Sequence, residues 1–341
     1  MNANRPEINL GTFEKYLVLW IPLCMAAGGW LSRYTTIGEA IEGFSIRGIS
    51  IPIGICLFFM MYPAVLNLRA SELRKLKQTP KPILLTFVSN WFVAPLVGFG
   101  LAKIFLSDHD ELFVAVILLS ASPCTAMVLV WGAMADGNQE QNVVNTSLNT
   151  ITIMVFYVPL VALLTGIQKI EIDRWGLVIS VLVFIGLPIL LGLLTRKTVI
   201  PWKGEAWFNN VYRPVLGKVS MGALLVTLIV LFALNGNTIM GNPESLLLVS
   251  VPLLLGFVIV VGFNLLMTRL LQLRYREAVI TVIIGSSSHF EIAIATAIAT
   301  YGVGSVAALG TTMGLFWEIP IMLGLVYFTR YLDRKEFWSK Q

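Results

Sequence analysis

Charge is what this chain has least of. Only 13% of its 341 residues are Asp, Glu, Lys or Arg, and 57% are hydrophobic. A soluble domain carries roughly 25% charged residues, so the shortage excludes one and implies a polytopic membrane protein. Cysteine is scarce as well. Cys24, Cys56 and Cys124 all fall within apolar runs, which suits no extracellular disulfide framework. With only two histidines, His109 and His289, no serine–histidine–acid arrangement can be supported. No Gly-x-x-x-x-Gly-Lys motif occurs, which excludes ATP use of that kind, and no cofactor is expected. The formal charge of +5 is spread over short loops, a poor footprint for nucleic acid.

Long apolar runs are what is there. A spanning helix needs about 20 apolar residues. Ten runs qualify, at roughly 13–32, 49–68, 83–106, 112–135, 143–167, 175–195, 214–235, 245–268, 278–301 and 305–329. They use most of the chain and leave no room for a soluble catalytic domain, so an enzyme is not expected. Ala26-Ala27-Gly28 faintly echoes a signal-peptidase site, but the long run around it favours a retained helix.

Topology follows Lys and Arg. With a cytoplasmic N-terminus, the inner segments hold Arg5, Lys15, the cluster Arg69, Arg74, Lys75, Lys77 and Lys81, then Arg196, Lys197, Lys203, Arg213 and Lys218. They also hold Arg269, Arg274, Arg276, Arg330, Arg334, Lys335 and Lys340, which makes 19 of the 24 basic residues. The outer side keeps Arg33, Arg47, Lys103, Lys169 and Arg174. Both termini are therefore expected inside, with the protein in the cell inner (plasma) membrane.

Two runs are interrupted. The fourth contains Leu119-Ser120-Ala121-Ser122-Pro123-Cys124-Thr125-Ala126-Met127. Pro123 removes a backbone donor and pushes Ser122 out of the helical region. The expectation is that Ser122 caps a second half-helix, with Pro123 at its first position and Cys124 just inside. That places a thiol at the positive end of a helix dipole, where a thiolate is favoured. The ninth run contains Gly285-Ser286-Ser287-Ser288-His289-Phe290-Glu291. Ser288-x-x-Glu291 fits a capping box. The breaks lie five runs apart, and an odd number of helices per half inverts the second half. The expected fold is therefore all-α, with ten transmembrane helices in a 5+5 inverted repeat, broken at helices four and nine. Residues 1–170 form the first repeat and 171–341 the second, with the site between the breaks.

Ionisable groups within a bilayer cost at least ~2.5–3.5 kcal/mol each and are functional candidates by default. At Glu291 a helix start favours the ionised form and desolvation the neutral one, so the group is suited to exchanging a proton. Glu318, two residues before Pro320, suits either structural pairing or proton coupling. His289 and Glu291 need not meet if both are helical, and His289 reads as a polar cavity or packing residue, with a proton relay as the alternative. Asn145 and Asn149 share a helix face, for interhelical bonding or for lining a polar cavity. Ser107-Asp108-His109-Asp110-Glu111 reads as a solvated acidic turn. Gly310 and Gly314 have the GxxxG spacing of close-packed helices.

Ser122-Pro123-Cys124-Thr125-Ala126-Met127-Val128 with Trp131 resembles the fourth-helix signature of the arsenite efflux permeases, in the bile acid/arsenite/riboflavin transporter superfamily. Met61-Tyr62-Pro63, Asn90-Trp91, Asn149 ten before Pro159, Phe290-Glu291 and Glu318-Ile319-Pro320 agree with it. The resemblance implies crossed broken helices and proton-driven export of trivalent arsenite, sometimes antimonite, with no soluble ATPase required. The family's required cysteine maps to Cys124 and its ninth-helix glutamate to Glu291. Ser122, Thr125, Asn149, Ser288 and His289 join them as expected substrate-binding residues, and Glu318 joins Glu291 in proton coupling. Thr150 replaces the family's usual Asp, and Ser288 and His289 stand where it commonly has Asn. Trivalent arsenic is soft and suits a thiolate. A sodium-coupled organic-anion symporter of the same fold is the alternative, and a sensor without a transport cycle is a more distant one.

Overall fold

A bilayer offers the backbone no partner but itself, and almost all of the described chain is helical. The computed structural model describes residues 16–37, 41, 43–46, 49–66, 80–125, 127–241, 243–302 and 304–338. Arg5, Lys15, Arg47, Arg69, Arg74, Lys75, Lys77, Lys340 and Ala126, on which part of the topology and motif reading rests, lie outside them, as do both chain ends.

Helix α1 (Leu17–Tyr34) leads to a short antiparallel hairpin, β1 (Ser45–Ile46) with β2 (Ile49–Ser50), and then α2 (Ile51–Leu66). Helix α3 (Pro80–Phe105) precedes two short helices, α4 (Asp110–Ser120) and α5 (Met127–Met134). Long helices follow: α6 (Gln139–Ile167), α7 (Arg174–Lys203), α8 (Arg213–Gly241) and α9 (Pro243–Leu270). A second short pair, α10 (Tyr275–Gly285) and α11 (Phe290–Tyr301), comes before α12 (Val306–Arg334). Among the described residues, α3, α6, α7, Glu205–Leu234, α9 and α12 are each long and apolar enough to cross a membrane. The protein is a helical, multi-pass membrane protein.

Proline explains the irregular turns in three of the long stretches. A π-helical turn over Ser89–Val93 ends two residues before Pro95. Another over Leu182–Gly186 ends two before Pro188, and a third over Phe208–Tyr212 ends two before Pro214. Proline lacks the N–H that would bond four residues back, and its ring crowds that carbonyl. Widening the preceding turn relieves both faults without ending the helix. In α3 the widened turn holds Ser89, Asn90 and Trp91, all buried.

The helices pack in two groups. Helix α8 runs along α1 and α2, and α7 also lies against α2. Helices α3 to α6 and α9 to α12 enclose the two interruptions. Helix α12 approaches α4 through the two glycines of the GxxxG spacing. A Cβ on Gly310 would sit 2.8 Å from Ala115 Cβ, and one on Gly314 would sit 2.6 Å from Leu119 Cδ1. The acidic turn is tied into this contact, because the Ala307 N–H at the start of α12 donates to Glu111 Oε2 at 3.0 Å. A carboxylate there also faces the positive end of the α12 dipole.

Overpacking a filled contact costs about 1–3 kcal/mol or more. Gly310→Ile should therefore lower the thermal unfolding midpoint in detergent by several degrees. Gly262→Ile, at a position where an added Cβ meets nothing within 4 Å, should leave the midpoint unchanged.

Candidate functional site

The site begins with the backbone. Helix α4 stops at Ser120 and helical bonding resumes at Met127, while α10 stops at Gly285 and α11 starts at Phe290. The two gaps cross as a minimal antiparallel bridge, with Pro123 opposite Ser288. The His289 N–H donates to Ser122 O at 2.6 Å, and the Cys124 N–H donates to Ser287 O at 3.3 Å. In an antiparallel pair, directly opposed residues alternate between bonded and non-bonded positions. Pro123 occupies a non-bonded one, so its missing N–H leaves no vacancy in the pairing.

This crossing corrects the two capping expectations. The Ser122 hydroxyl donates to Leu119 O at 2.9 Å and lies 3.3 Å from His289 O, so it closes the end of α4 and does not start α5. Cys124 lies in the extended crossing strand, upstream of Met127, and not inside a half-helix. In the second gap the residue preceding α11 is His289, with no side-chain capping bond. Ser288 instead gives its hydroxyl and its N–H to Glu318 on α12. The Ser287 hydroxyl goes to Glu318 too. The capping box is absent because a carboxylate from another helix takes its donor.

Neighbouring helices complete the remaining backbone groups. Asn149 on α6 donates to Cys124 O at 3.0 Å, and Asn90 on α3 donates to Asn149 Oδ1 at 3.2 Å. Asn145 lies 3.4 Å from Thr86 Oγ1, so the two asparagines do share the face turned to α3. Ser89 donates to Gly285 O at 2.8 Å. Asn264 Nδ2 on α9 has Ser89 Oγ at 2.8 Å, Val260 O at 3.0 Å, Gly285 O at 3.1 Å and Ser286 Oγ at 3.2 Å within reach. Ser89 and Asn264 are site residues that the sequence reading missed. The available signal was an Asn or Ser alone in an apolar helix, on an element adjacent to a break that needs donors.

Cys124, Ser122, Thr125, Asn149, His289, Glu291 and Glu318 are all buried, and Ser288 is half-buried. His289 and Glu291 do meet: Nδ1 and Oε2 are 3.0 Å apart. His289 precedes the helix, so the angular separation of successive helical residues does not apply to it. Its Nε2 is 2.8 Å from Thr125 Oγ1. Thr125, His289 and Glu291 therefore lie in series, with threonine as the hydroxyl. A cavity of about 80 Å3 opens beside the crossing, walled by Asn90, Ser120, Ser122 and Ser286 to Ser288 together with apolar residues of α3, α4 and α9. Cys124, His289 and Glu291 lie outside its wall. The arrangement offers a mostly apolar chamber edged by serines, next to a sealed thiol and two buried carboxyl groups.

Crossed, interrupted helices inside a multi-pass bundle, with buried ionisable groups at the crossing, define a membrane transporter. Residues 54–242 match the Sodium Bile acid symporter family, and the chain belongs to it. It is a transporter and not an enzyme. An uncharacterized transporter of Synechocystis is 35% identical over 96% of this chain and 90% of its own length. The arsenical-resistance protein Acr3 of Alkaliphilus metalliredigens is 31% identical over 96% of this chain and 94% of its own. Acr3 of Corynebacterium glutamicum is 31% identical over 95% and 90%.

Leaving buried acceptors without their donor costs about 1–3 kcal/mol. Asn264→Leu should destabilise the protein by that amount in a thermal melt. An unchanged melt would mean that the crossing does not rely on α9.

Proposed function

We propose that this protein exports trivalent arsenite from the cytoplasm in exchange for protons, with antimonite as a second substrate. The observation that carries the reading is Cys124, whose backbone is held on both sides within the crossing, by Ser287 O and by Asn149. The arsenical-resistance relatives are similar over nearly the whole chain, which supports the same substrate. Arsenous acid is a neutral triol, suited to a mostly apolar chamber whose edge carries Asn90 and serines. The thiol displaces one hydroxyl: an S–As bond forms, an As–O bond breaks, and the thiol proton leaves with the hydroxide as water. One thiolate, in place of three, holds soft arsenic weakly enough to let it go. Glu291 and Glu318 carry the exchanged proton. Asn149, Thr125, Ser122, Ser288 and His289 shape the site.

The same reading includes ten spanning segments in a 5+5 inverted repeat, divided near residue 170, in the plasma membrane with both termini in the cytoplasm. The paired contacts support it. Glu111 at the start of α4 reaches the first turn of α12, and Gln141 in the first turn of α6 reaches Glu277 O in the first turn of α10. Asn149 bonds the first break, and Glu318 bonds the second. The family's own description favours a second reading, sodium-coupled symport of an organic anion.

Inside-out vesicles carrying the protein should accumulate arsenite only when a proton gradient is imposed. Cys124→Ala and Glu291→Gln should each lower the initial rate at least ~10-fold, about 1.4 kcal/mol. Glu318→Gln, which exchanges one acceptor for a donor facing Ser287 and Ser288, should lower it similarly. Sodium-dependent movement of an organic acid, with no arsenite uptake, would move the assignment to the second reading.

A further inference from the structure

Thr125 belongs to the first crossing strand and His289 to the second, so their contact ties the two breaks together through side chains as well as backbone. Thr125 Oγ1 is 2.8 Å from His289 Nε2, and Nδ1 of the same ring is 3.0 Å from Glu291 Oε2. The three residues are 3%, 1% and 4% exposed, so water does not substitute for any of these contacts. Nδ1 and Oε2 are close without the alignment of a hydrogen bond, and neither atom has another hydrogen-bond partner. A buried imidazole nitrogen and a buried carboxylate oxygen left facing each other are a poor structural contact. They are a good place for one mobile proton, since imidazole carries a proton on either nitrogen.

We propose that His289 is the second half of the proton-carrying site, sharing one exchangeable proton with Glu291, with Thr125 fixing which ring nitrogen bears it. In the resting arrangement the Thr125 hydroxyl donates to Nε2, and Nδ1–H faces the Glu291 carboxylate. A proton delivered to Thr125 by a substrate hydroxyl, once the elements around the crossing move, passes along the chain. The Thr125 O–H breaks as an N–H forms at Nε2. The Nδ1–H breaks as an O–H forms on Glu291, and Thr125 keeps the arriving proton. One proton has then passed from the Cys124 strand to Glu291, with no change in bonds to carbon. The inference depends on the transporter reading for its use, while the ring chemistry is testable without transport.

Of the other titratable groups around α11, Tyr157 on α6 lies against Thr296, and Tyr301 ends α11 itself. Helix α12 contributes Glu318, engaged by Ser287 and Ser288, and otherwise carries its titratable residues beyond Glu318 toward its far end. Helix α4 carries Asp110 and Glu111 in its first turn, at the α12 start, remote from the break. Helix α2 carries Cys56 and Tyr62, the latter bonded to Thr195 at 2.6 Å. Helix α7 carries Arg174, Arg196, Lys197 and Lys203, with Arg196 donating to Leu66 O at 2.9 Å. The Cys124 thiol stands next to Thr125 in the first strand.

The chain has two histidines, so His109→Asn protein labelled with 15N-histidine reports one imidazole. In lipid nanodiscs Glu291→Gln, which preserves volume, should change the 15N shifts of its ring nitrogens, and Thr125→Val should change the tautomer signature of the two nitrogens. In vesicles, His289→Asn should displace the pH dependence of arsenite flux while Cys124 stays alkylatable. A ring that is indifferent to Glu291→Gln, or an unaltered pH profile in a folded His289→Asn protein, would overturn the proposal. Absent arsenite flux in the parent, with the ring coupling intact, would fault the substrate reading alone.

Discussion

Two backbone hydrogen bonds between Ser122 and His289 and between Cys124 and Ser287 are what allow both helices to be broken. An unsatisfied peptide group in an apolar interior costs several kcal/mol, so an isolated break in a spanning helix would not persist. Pairing two breaks lets each supply partners for the other. The pairing is too short to complete the task, and the remainder falls to Ser89, Asn149, Asn264 and Glu318. Most of the polar side chains buried around the crossing are there because of this requirement. Several of them also edge the mostly apolar chamber beside the crossing.

Much of this was legible in the chain. The low charge and the apolar runs revealed the membrane class, and Pro123 with the serine run before His289 marked where the helices stop. The π turns were encoded as well, in Pro95, Pro188 and Pro214, though hydropathy alone does not distinguish a widened turn from a regular one. The two capping expectations fail for different reasons: the Ser122 hydroxyl turns back to Leu119 O in the helix before it, and the Ser288 donors go to Glu318 on another helix. Nothing local distinguishes Asn264, a donor to another helix, from a lone polar residue. His289 meets Glu291 because it precedes α11, where helical spacing does not set their separation. Local signals identified where the backbone breaks, and only the tertiary arrangement identified what repairs it.

The chemistry of the site follows from its seclusion. Cys124 is 1% exposed and outside the cavity wall, so the thiol meets solute only when the elements around the crossing move. A soft nucleophile kept apart from the chamber does not trap thiophilic solutes in every conformation. Glu291 and Glu318 lie on the two helices closest to the second break, one beside His289 and one across Ser287 and Ser288. Because Glu318 accepts from Ser287 and Ser288, a proton gained there under the proposed exchange would alter the bonds that hold the second break.

Protection of Cys124 from alkylation tests the central claim most directly. In a Cys24→Ala, Cys56→Ala background the only thiol is Cys124. Arsenite should slow its reaction with a membrane-permeant maleimide in a saturable manner, and an organic anion with sodium should not. Alkylation at the same rate with and without arsenite, in protein shown to be folded, would contradict the account.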